Sequence, residues 1–420
     1  MSWSKPYIVI LFSVLSILSC KDKVREIPEE SPIIITKLGQ SIIGDLEGDA
    51  FGKHLAISDD GMRFVTAAIA NDVNGINAGQ VKAYRYIDGE DTWSEQNVFY
   101  GDTALNQMGK LAISGNGDVF AVGVPLHSGS KGCVKVYDFS GNLVGNVITT
   151  DDEDDKFGHS IALSYDGSVL AVGGQGIDSI ISGNMKPNIG RVRVYKLDGA
   201  AWKQQGQDLI GANANSKFGF SLDLSNDGAI LGVGSTGNNG GKCYFFKNSG
   251  TNWLEYPIGG NVVQGETADD AQLYGTQLAI SSEGETSAVV ANQGLDERGY
   301  ASIYENNGTG WQDKGIKLYA VKTAGLTSVS LSQDGNTLAV GYGIWDKENE
   351  DGDSGLGRGM VRIFRFENGV WKQISEDLYG KERDENFGNS VTLTPDGKTL
   401  AIGSVGYSSG KGKVQIFRLE

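Results

Sequence analysis

Histidine, cysteine and proline are scarce in this chain, with three, three and seven residues among 420. Each scarcity removes a class of explanation. There is no Cys-x-x-Cys pair and no Cys/His spacing of a zinc site. No G-x-S-x-G nucleophile motif precedes a helical pattern. Helical patterns are themselves rare, because 61 glycines break up the stretches in which an apolar period of 3.6 residues could be sustained. Positive charge is also short. Lys and Arg total 36 against 52 Asp and Glu, a formal net charge of −16, which argues against nucleic acid as a partner because phosphates need a basic surface. The one sustained apolar run, residues 7–18, is about a dozen residues long where a membrane-spanning helix needs ~20.

What the chain has in quantity is glycine, tyrosine and phenylalanine, arranged in a repeat. Residues 157–211 show the unit. FGHSIALSYDG, SVLAVGG and GRVRVYKLDG alternate apolar with small or polar residues at the period of two that a pleated strand imposes, and AWKQQGQDLIG follows as a fourth segment. Asp166-Gly167 and Asp198-Gly199 supply the positive-φ residues of tight hairpins. The unit is therefore an antiparallel four-stranded meander. Its first turn recurs as SDDG, SGNG, SYDG, SNDG, SSEG, SQDG and TPDG, the glycines being 61, 117, 167, 228, 284, 335 and 397. The interval of roughly 56 residues lies near the range of propeller and solenoid repeats. Fourth segments open with Trp93, Trp202, Trp253, Trp311 and Trp371. Their recurrence with the repeat points to packing rather than to sugar stacking.

The two ends of the chain complement each other. Residues 38–44, LGQSIIG, match QGQDLIG at the end of the unit, so a fourth strand stands before any first strand, and the seventh unit stops after its third. Pairing residues 33–43 with residues 414–418 would complete the last sheet and remove an exposed edge. The reading is an all-β, seven-bladed β-propeller of four-stranded antiparallel blades, ring closed by the N-terminal strand completing the last blade, over residues 33–420.

Upstream, residues 1–19 have the charged start and short apolar run of an export signal. ILSC, residues 17–20, resembles the lipobox of bacterial lipoproteins, which implies that Cys20 is lipidated and becomes the mature N-terminus. Residues 20–32 then serve as the lipidated Cys and flexible tether. Lys21 after the Cys implies, within that family, the outer membrane. The expected localisation is the cell envelope, lipid-anchored at the outer membrane or cell surface. The other cysteines, Cys133 and Cys243, fall in third strands of different units and are expected to be two buried thiols.

The repeats resemble those of the FG-GAP proteins, of which the integrin α propeller is the best-known example. The FG dipeptide stands at Phe51-Gly52, Phe157-Gly158, Phe218-Gly219 and Phe387-Gly388, with Met108-Gly109 and Tyr274-Gly275 as variants and Gly123-Val124-Pro125 as a GAP-like tripeptide. The resemblance implies the fold. In integrins several blades hold calcium in a D-x-D-x-D-G loop. The turns here keep only one or two carboxylates, as in Asp59-Asp60-Gly61, against the six to eight oxygens that calcium takes. They are read as hairpin turns.

A ligand is expected on the face that carries the long loops, opposite the tight hairpins. That face is acidic. Its candidate binding residues are Asp151, Asp152, Asp154 and Asp155, then Asp269 and Asp270, then Trp345, Asp346, Asp351 and Asp353, with Asp45, Glu47 and Asp49 adding charge and Tyr342 beside Trp345 as a second aromatic anchor. The rim would capture a protein or glycan ligand directly or through calcium, by a monomeric binding or adhesion module. The alternative is a propeller hydrolase or lyase acting on extracellular glycans. For that, Asp223 is the residue to weigh, since it replaces the small residue found at Ala56, Ala112, Ala162 and Ala279. One carboxylate is not an acid/base pair, and a hydrogen-bonded channel residue is the expectation. No catalytic residue is assigned. His54 and His159 lie in first strands of two different units, and His127 lies in a loop.

Overall fold

The repeated turn is closed by its own side chains. In blade 3, Ser164 Oγ donates to Asp166 Oδ1 at 2.7 Å and accepts the Val169 N–H at 3.0 Å, while Asp166 Oδ1 also accepts the Ser168 N–H at 2.9 Å. The pattern repeats at Ser58/Asp60, Ser225/Asp227, Ser332/Asp334 and Thr394/Asp396, and with an amide at Ser114/Asn116. The carboxylate thus completes the backbone of the hairpin.

The computed structural model describes residues 33–181, 184–237, 240–265, 273–292, 298–320, 325–344 and 357–420. Seven antiparallel blades follow in chain order. Blade 3 runs Ser160–Leu163, Val169–Gly174, Arg191–Asp198 and Ala201–Gln204, then Leu209–Ile210. The fourth strand is therefore split: its first piece opens with Trp202, and its second returns to the start of the third strand through Ile210 opposite Arg191. Blades 4, 5 and 6 split their fourth strands in the same way. The break coincides with a positive-φ glycine, Gly206 at φ +85° in blade 3, a conformation no continuous strand uses.

The ring closes as the matching ends require. Ile35–Lys37 pairs with the last strand, Ile35 opposite Leu419, and Ile42–Ile43 pairs with it further along, Ile42 opposite Val414. These are the two pieces of one split fourth strand, donated to blade 7 by the other end of the chain. Leu38, Ile42, Phe51, Phe64, Trp93 and Ile416 form one buried cluster across this seam. The seam is thus as apolar as the junction of blades 3 and 4, where Ala171, Val192, Leu222, Leu231 and Trp253 pack together. The core of the molecule is this set of inter-blade layers.

The FG dipeptides are bulges. The pairing of first and second strands slips between Phe51 and His54, Phe218 and Ser221, Tyr274 and Gln277, and Phe387 and Ser390. The aromatic residue is buried, and the glycine takes φ near +85° as the extra residue. Its carbonyl is held by the preceding blade: Ser160 Oγ donates to Gly219 O at 2.6 Å, Ser221 to Gly275 at 2.8 Å, Ser328 to Gly388 at 3.1 Å and Ser390 to Gly52 at 2.8 Å. The last of these crosses the ring closure.

At the hairpin end, the turns are chained to one another. Asp59 N–H donates to Gly115 O, Asn116 to Tyr165, Tyr165 to Asn226, Asn226 to Ser282, Ser282 to Gln333 and Gln333 to Pro395, all between 2.7 and 3.2 Å. Pro395 has no N–H to pass on to blade 1. Cys133 and Cys243 are free and buried, as expected.

The mouth of the central channel as a candidate binding site

The bulge that follows each FG dipeptide aims the next residues at the propeller axis. Those that line one cavity at the long-loop mouth are Lys53 and His54 from blade 1, Lys110 from blade 2, His159 from blade 3, Phe220 from blade 4, Thr276 and Gln277 from blade 5, Thr327 from blade 6 and Asn389 from blade 7. The cavity has a volume of about 560 Å³, within the range of small-molecule sites. Leu273, Asn292, Leu326 and Ile344, at the ends of the adjoining strands and loops, complete its wall. Every blade contributes, so the site exists only in the closed ring.

The wall is uneven. Blades 1 to 3 supply two lysines and two histidines, while blades 4 to 7 supply an aromatic ring, aliphatic side chains, hydroxyls and amides. Among the described residues no carboxylate lines it. Lys53 Nζ donates to Asn389 Oδ1 at 3.3 Å. The His159 Nδ1 atom lies 3.2 Å from Gln175 Nε2, and its ring centroid lies 5.1 Å from that of Phe220. Burial, followed by repulsion from Lys53, pushes the Lys110 ammonium down to about 8. Burial, with Lys110 as the next contribution, lowers His159 to about 3 and holds His54 well below the ordinary histidine range. Lys53, Lys110 and the two imidazoles, which burial and the lysines hold neutral, thus share one cavity wall.

The acidic candidates divide. Asp152 lies 2.8 Å from Arg191 Nη1, and the fully buried Asp155 is hydrogen-bonded to Arg191 Nη2, with Asp208 a third carboxylate beside the same guanidinium. Burial raises the Asp155 carboxyl above its usual range against the pull of Arg191. These two aspartates hold blade 3 together, whereas Asp151 and Asp154 are exposed. Asp49 is buried and accepts from Asn71 Nδ2 at 2.7 Å, and Asp45 pairs with Lys82 at 2.9 Å. Tyr342 is fully buried, packed among Leu338, Val340 and Met360. That corrects the expectation that it offers an aromatic anchor: it is the last residue of a second strand whose ring turns into the core. Asp269, Asp270, Trp345, Asp346, Asp351 and Asp353 lie outside the described residues, as does Cys20. Among the described residues no three His, Cys, Asp or Glu side chains converge as metal ligands.

Asp223 joins two blades. It accepts the Leu224 N–H at 2.9 Å and, from blade 5, the Ile280 N–H at 2.7 Å, and burial raises it to about 7. Ser330 does the same work between blades 6 and 7, its Oγ accepting the Leu393 N–H at 2.9 Å. The tryptophans are structural as well: Trp202 Nε1 donates to Val144 O at 2.9 Å and Trp371 Nε1 to Lys314 O at 2.7 Å, each reaching the preceding blade. A second cavity, of about 660 Å³ on the hairpin face, contains Glu283, Glu285, Glu305 and Lys314. There Lys314 is buried and donates to Gly335 O and Asn336 Oδ1, both at 2.9 Å.

Lys53 and Lys110 were not singled out from the sequence, although a signal was present. The residue after each FG-type dipeptide is Lys53, Lys110, His159, Phe220, Thr276 and Asn389, a position whose chemistry differs from blade to blade. Comparison with known proteins adds no identity: no protein-family model and no curated protein matches the chain.

Proposed function

We propose that this protein is a binding module of the cell envelope, a propeller similar to the FG-GAP repeat proteins, held at the outer membrane or cell surface by lipid on Cys20 and taking a protein or glycan ligand on its long-loop face. The observation that carries the reading is the cavity at the channel mouth on that face. Seven first strands converge there, and among the lining residues those directly after the FG-type dipeptides differ in chemistry from blade to blade. Exposed carboxylates such as Asp151, Glu153 and Asp154 stand on loops of the same face. They suit contact with a cationic region of the partner, directly or with calcium between them.

Two measurements test this. Screening the full chain against glycan and envelope-protein arrays, with and without calcium, should give a saturable ligand whose capture is lost when long-loop residues change and kept when hairpin-face residues change. Capture that depends on the hairpin face would overturn the assignment of the face, and turnover of a glycan would replace the binding reading with that of a hydrolase or lyase. Separately, Cys20→Ala should move the protein from the membrane fraction to the soluble fraction. Retention in the membrane would sink the lipid anchor.

A further inference from the structure

The channel mouth is out of keeping with the rest of this acidic protein. A lysine drawn out of water is ordinarily matched by a carboxylate. Among the described residues Lys82 meets Asp45 and Glu95, Lys135 meets Asp102, and the buried Lys413 meets the buried Glu385 at 2.7 Å, while the buried Lys314 is satisfied by the Gly335 and Asn336 oxygens. Lys110 is the exception. Among the described residues its ammonium has no carboxylate and no hydrogen-bond acceptor; its charged neighbour is Lys53, and the imidazoles of His54 and His159 beside it are held neutral. Lys53 has the Asn389 amide oxygen and no counter-ion. Collecting uncompensated positive charge at one end of a channel destabilises a fold unless something negative occupies the space.

The opposite arc of the wall defines the rest of the occupant. Phe220, Leu273 and Leu326 present apolar surface, and Gln277 and Asn292 present amides. The volume of about 560 Å³ admits one small organic molecule and not a folded chain. The surrounding long loops carry exposed Asp45, Glu47, Asp72, Asp102, Asp151 and Asp154, with Asp45 and Asp102 paired to Lys82 and Lys135 and with Lys156 and Lys217 near His159; the unpaired carboxylates disfavour approach of a polyanion and tolerate a ligand with one charged end.

We infer that the channel mouth binds an organic anion, with a single oxyanion head (carboxylate, phosphate or sulfate ester) between Lys53 and Lys110 and an apolar body along Phe220, Leu273 and Leu326. The inference rests on the long-loop face being the ligand face, and it specifies the chemistry recognised at its centre: the anionic end of the glycan or protein ligand, or a small anion in its own right. The lysines supply charge-assisted hydrogen bonds, and the apolar arc supplies the remaining contact.

The test is calorimetric titration of the full chain with benzoate, phenyl phosphate and phenyl sulfate, alongside neutral benzamide and cationic benzylamine. At least one anion should bind, with the neutral and cationic compounds at least roughly tenfold weaker. The anion that binds best identifies the head group. Lys110→Met should weaken it by roughly 10- to 100-fold, and Lys53→Gln should also weaken it. Without ligand, Lys110→Met should melt at the same or a higher temperature than wild type, because a half-buried charge with no counter-ion is gone; a lower melting temperature together with lost binding would assign Lys110 a structural role and overturn the inference. Absence of binding by all three anions, equal binding of benzamide, or undiminished affinity in both variants would also overturn it. Array ligands captured equally by wild type and Lys110→Met, with no anion bound, would overturn the inference while leaving the ligand-face reading intact. Anion binding without any array ligand would support the inference and leave that reading without a macromolecular partner.

Discussion

The indole N–H of Trp93 donates to the backbone carbonyl of Leu38 at 3.0 Å, across the place where the two ends of the chain meet. Gln40 strengthens the same contact: its Oε1 accepts the Trp93 N–H and its Nε2 donates to the Trp93 carbonyl, both at 2.8 Å. Gln207 and Trp253 repeat this bracket within the ring, at 3.0 and 2.7 Å. Between Leu38 and Gln40 stands Gly39 at φ +69°, where an added Cβ would lie 2.7 Å from Trp93 Cδ1. The N-terminal segment therefore completes blade 7 and fastens it to blade 1. Deleting residues 33–43 should leave an open edge and an unclamped first blade, with aggregation seen by size-exclusion chromatography; a stable monomer would refute the closure. The milder Gly39→Val combines a strained backbone with a clash against the indole, and should lower stability by about 2–4 kcal/mol in urea titrations.

The serine after the FG bulge makes a second prediction. Ser221 Oγ is buried and donates to the Gly275 carbonyl of the next blade at 2.8 Å. Ser221→Ala removes the donor and leaves a buried carbonyl with one partner fewer, at a cost of about 1–2 kcal/mol. Ser221→Cys, a poorer donor of similar size, should recover little of it. Chemical denaturation of the three proteins reads the difference, and an Ala variant as stable as wild type would remove this hydroxyl from the list of inter-blade fasteners.

Arg191 should be among the most sensitive polar positions. It is almost fully buried and meets Asp155, itself fully buried, with Asp152 and Asp208 at the more exposed side. Arg191→Met leaves the Asp155 charge uncompensated and is expected to cost about 3–5 kcal/mol. Replacing both members, Arg191→Met with Asp155→Leu, should recover a large part of the loss, because no buried charge is then left alone. A double variant no more stable than the single one would contradict this account.

The pH dependence of stability carries a signature of Asp223. Its carboxyl is raised to about 7 in the folded chain, mainly by burial, from 3.8 as the ordinary value. Between those values the folded state binds the proton and the unfolded state does not, so the contribution of this group is greatest at low pH and is lost as pH rises through about 7. The limiting slope is about 1.4 kcal/mol per pH unit. Asp223→Ala, which restores the residue type of Ala56 and Ala162, loses two hydrogen bonds at every pH and, with the carboxyl gone, the titration as well. It should therefore be more destabilising relative to wild type at pH 5.5 than at pH 8.5, as followed by melting temperature. A difference that stays constant with pH would place the titration elsewhere.

Blade number, strand order and the pairing of the chain ends were all readable in the sequence, because each rests on local chemistry repeated seven times. Turn residues such as Asp166-Gly167 and the period-two strands determine a meander, and an unmatched fourth strand at residues 33–43 determines how the ring ends. The roles of Trp202 and of Asp223 were readable only as packing and as a hydrogen-bonded position; their partners, Val144 and Ile280, belong to neighbouring blades. What the tertiary structure alone decided is which charges meet. The run at residues 151–155 looks like one acidic surface, yet Asp152 and Asp155 turn inward to Arg191, about forty residues later in the chain, while Asp151 and Asp154 face solvent. Conversely, Lys53, Lys110 and His159 stand about fifty residues apart and share no local pattern beyond their place after a bulge. Closing the ring brings them to one cavity. Periodic signals report what a residue does within its own blade, whereas the charge of a site on the axis is a sum over all seven, and that sum exists only once the ring is closed.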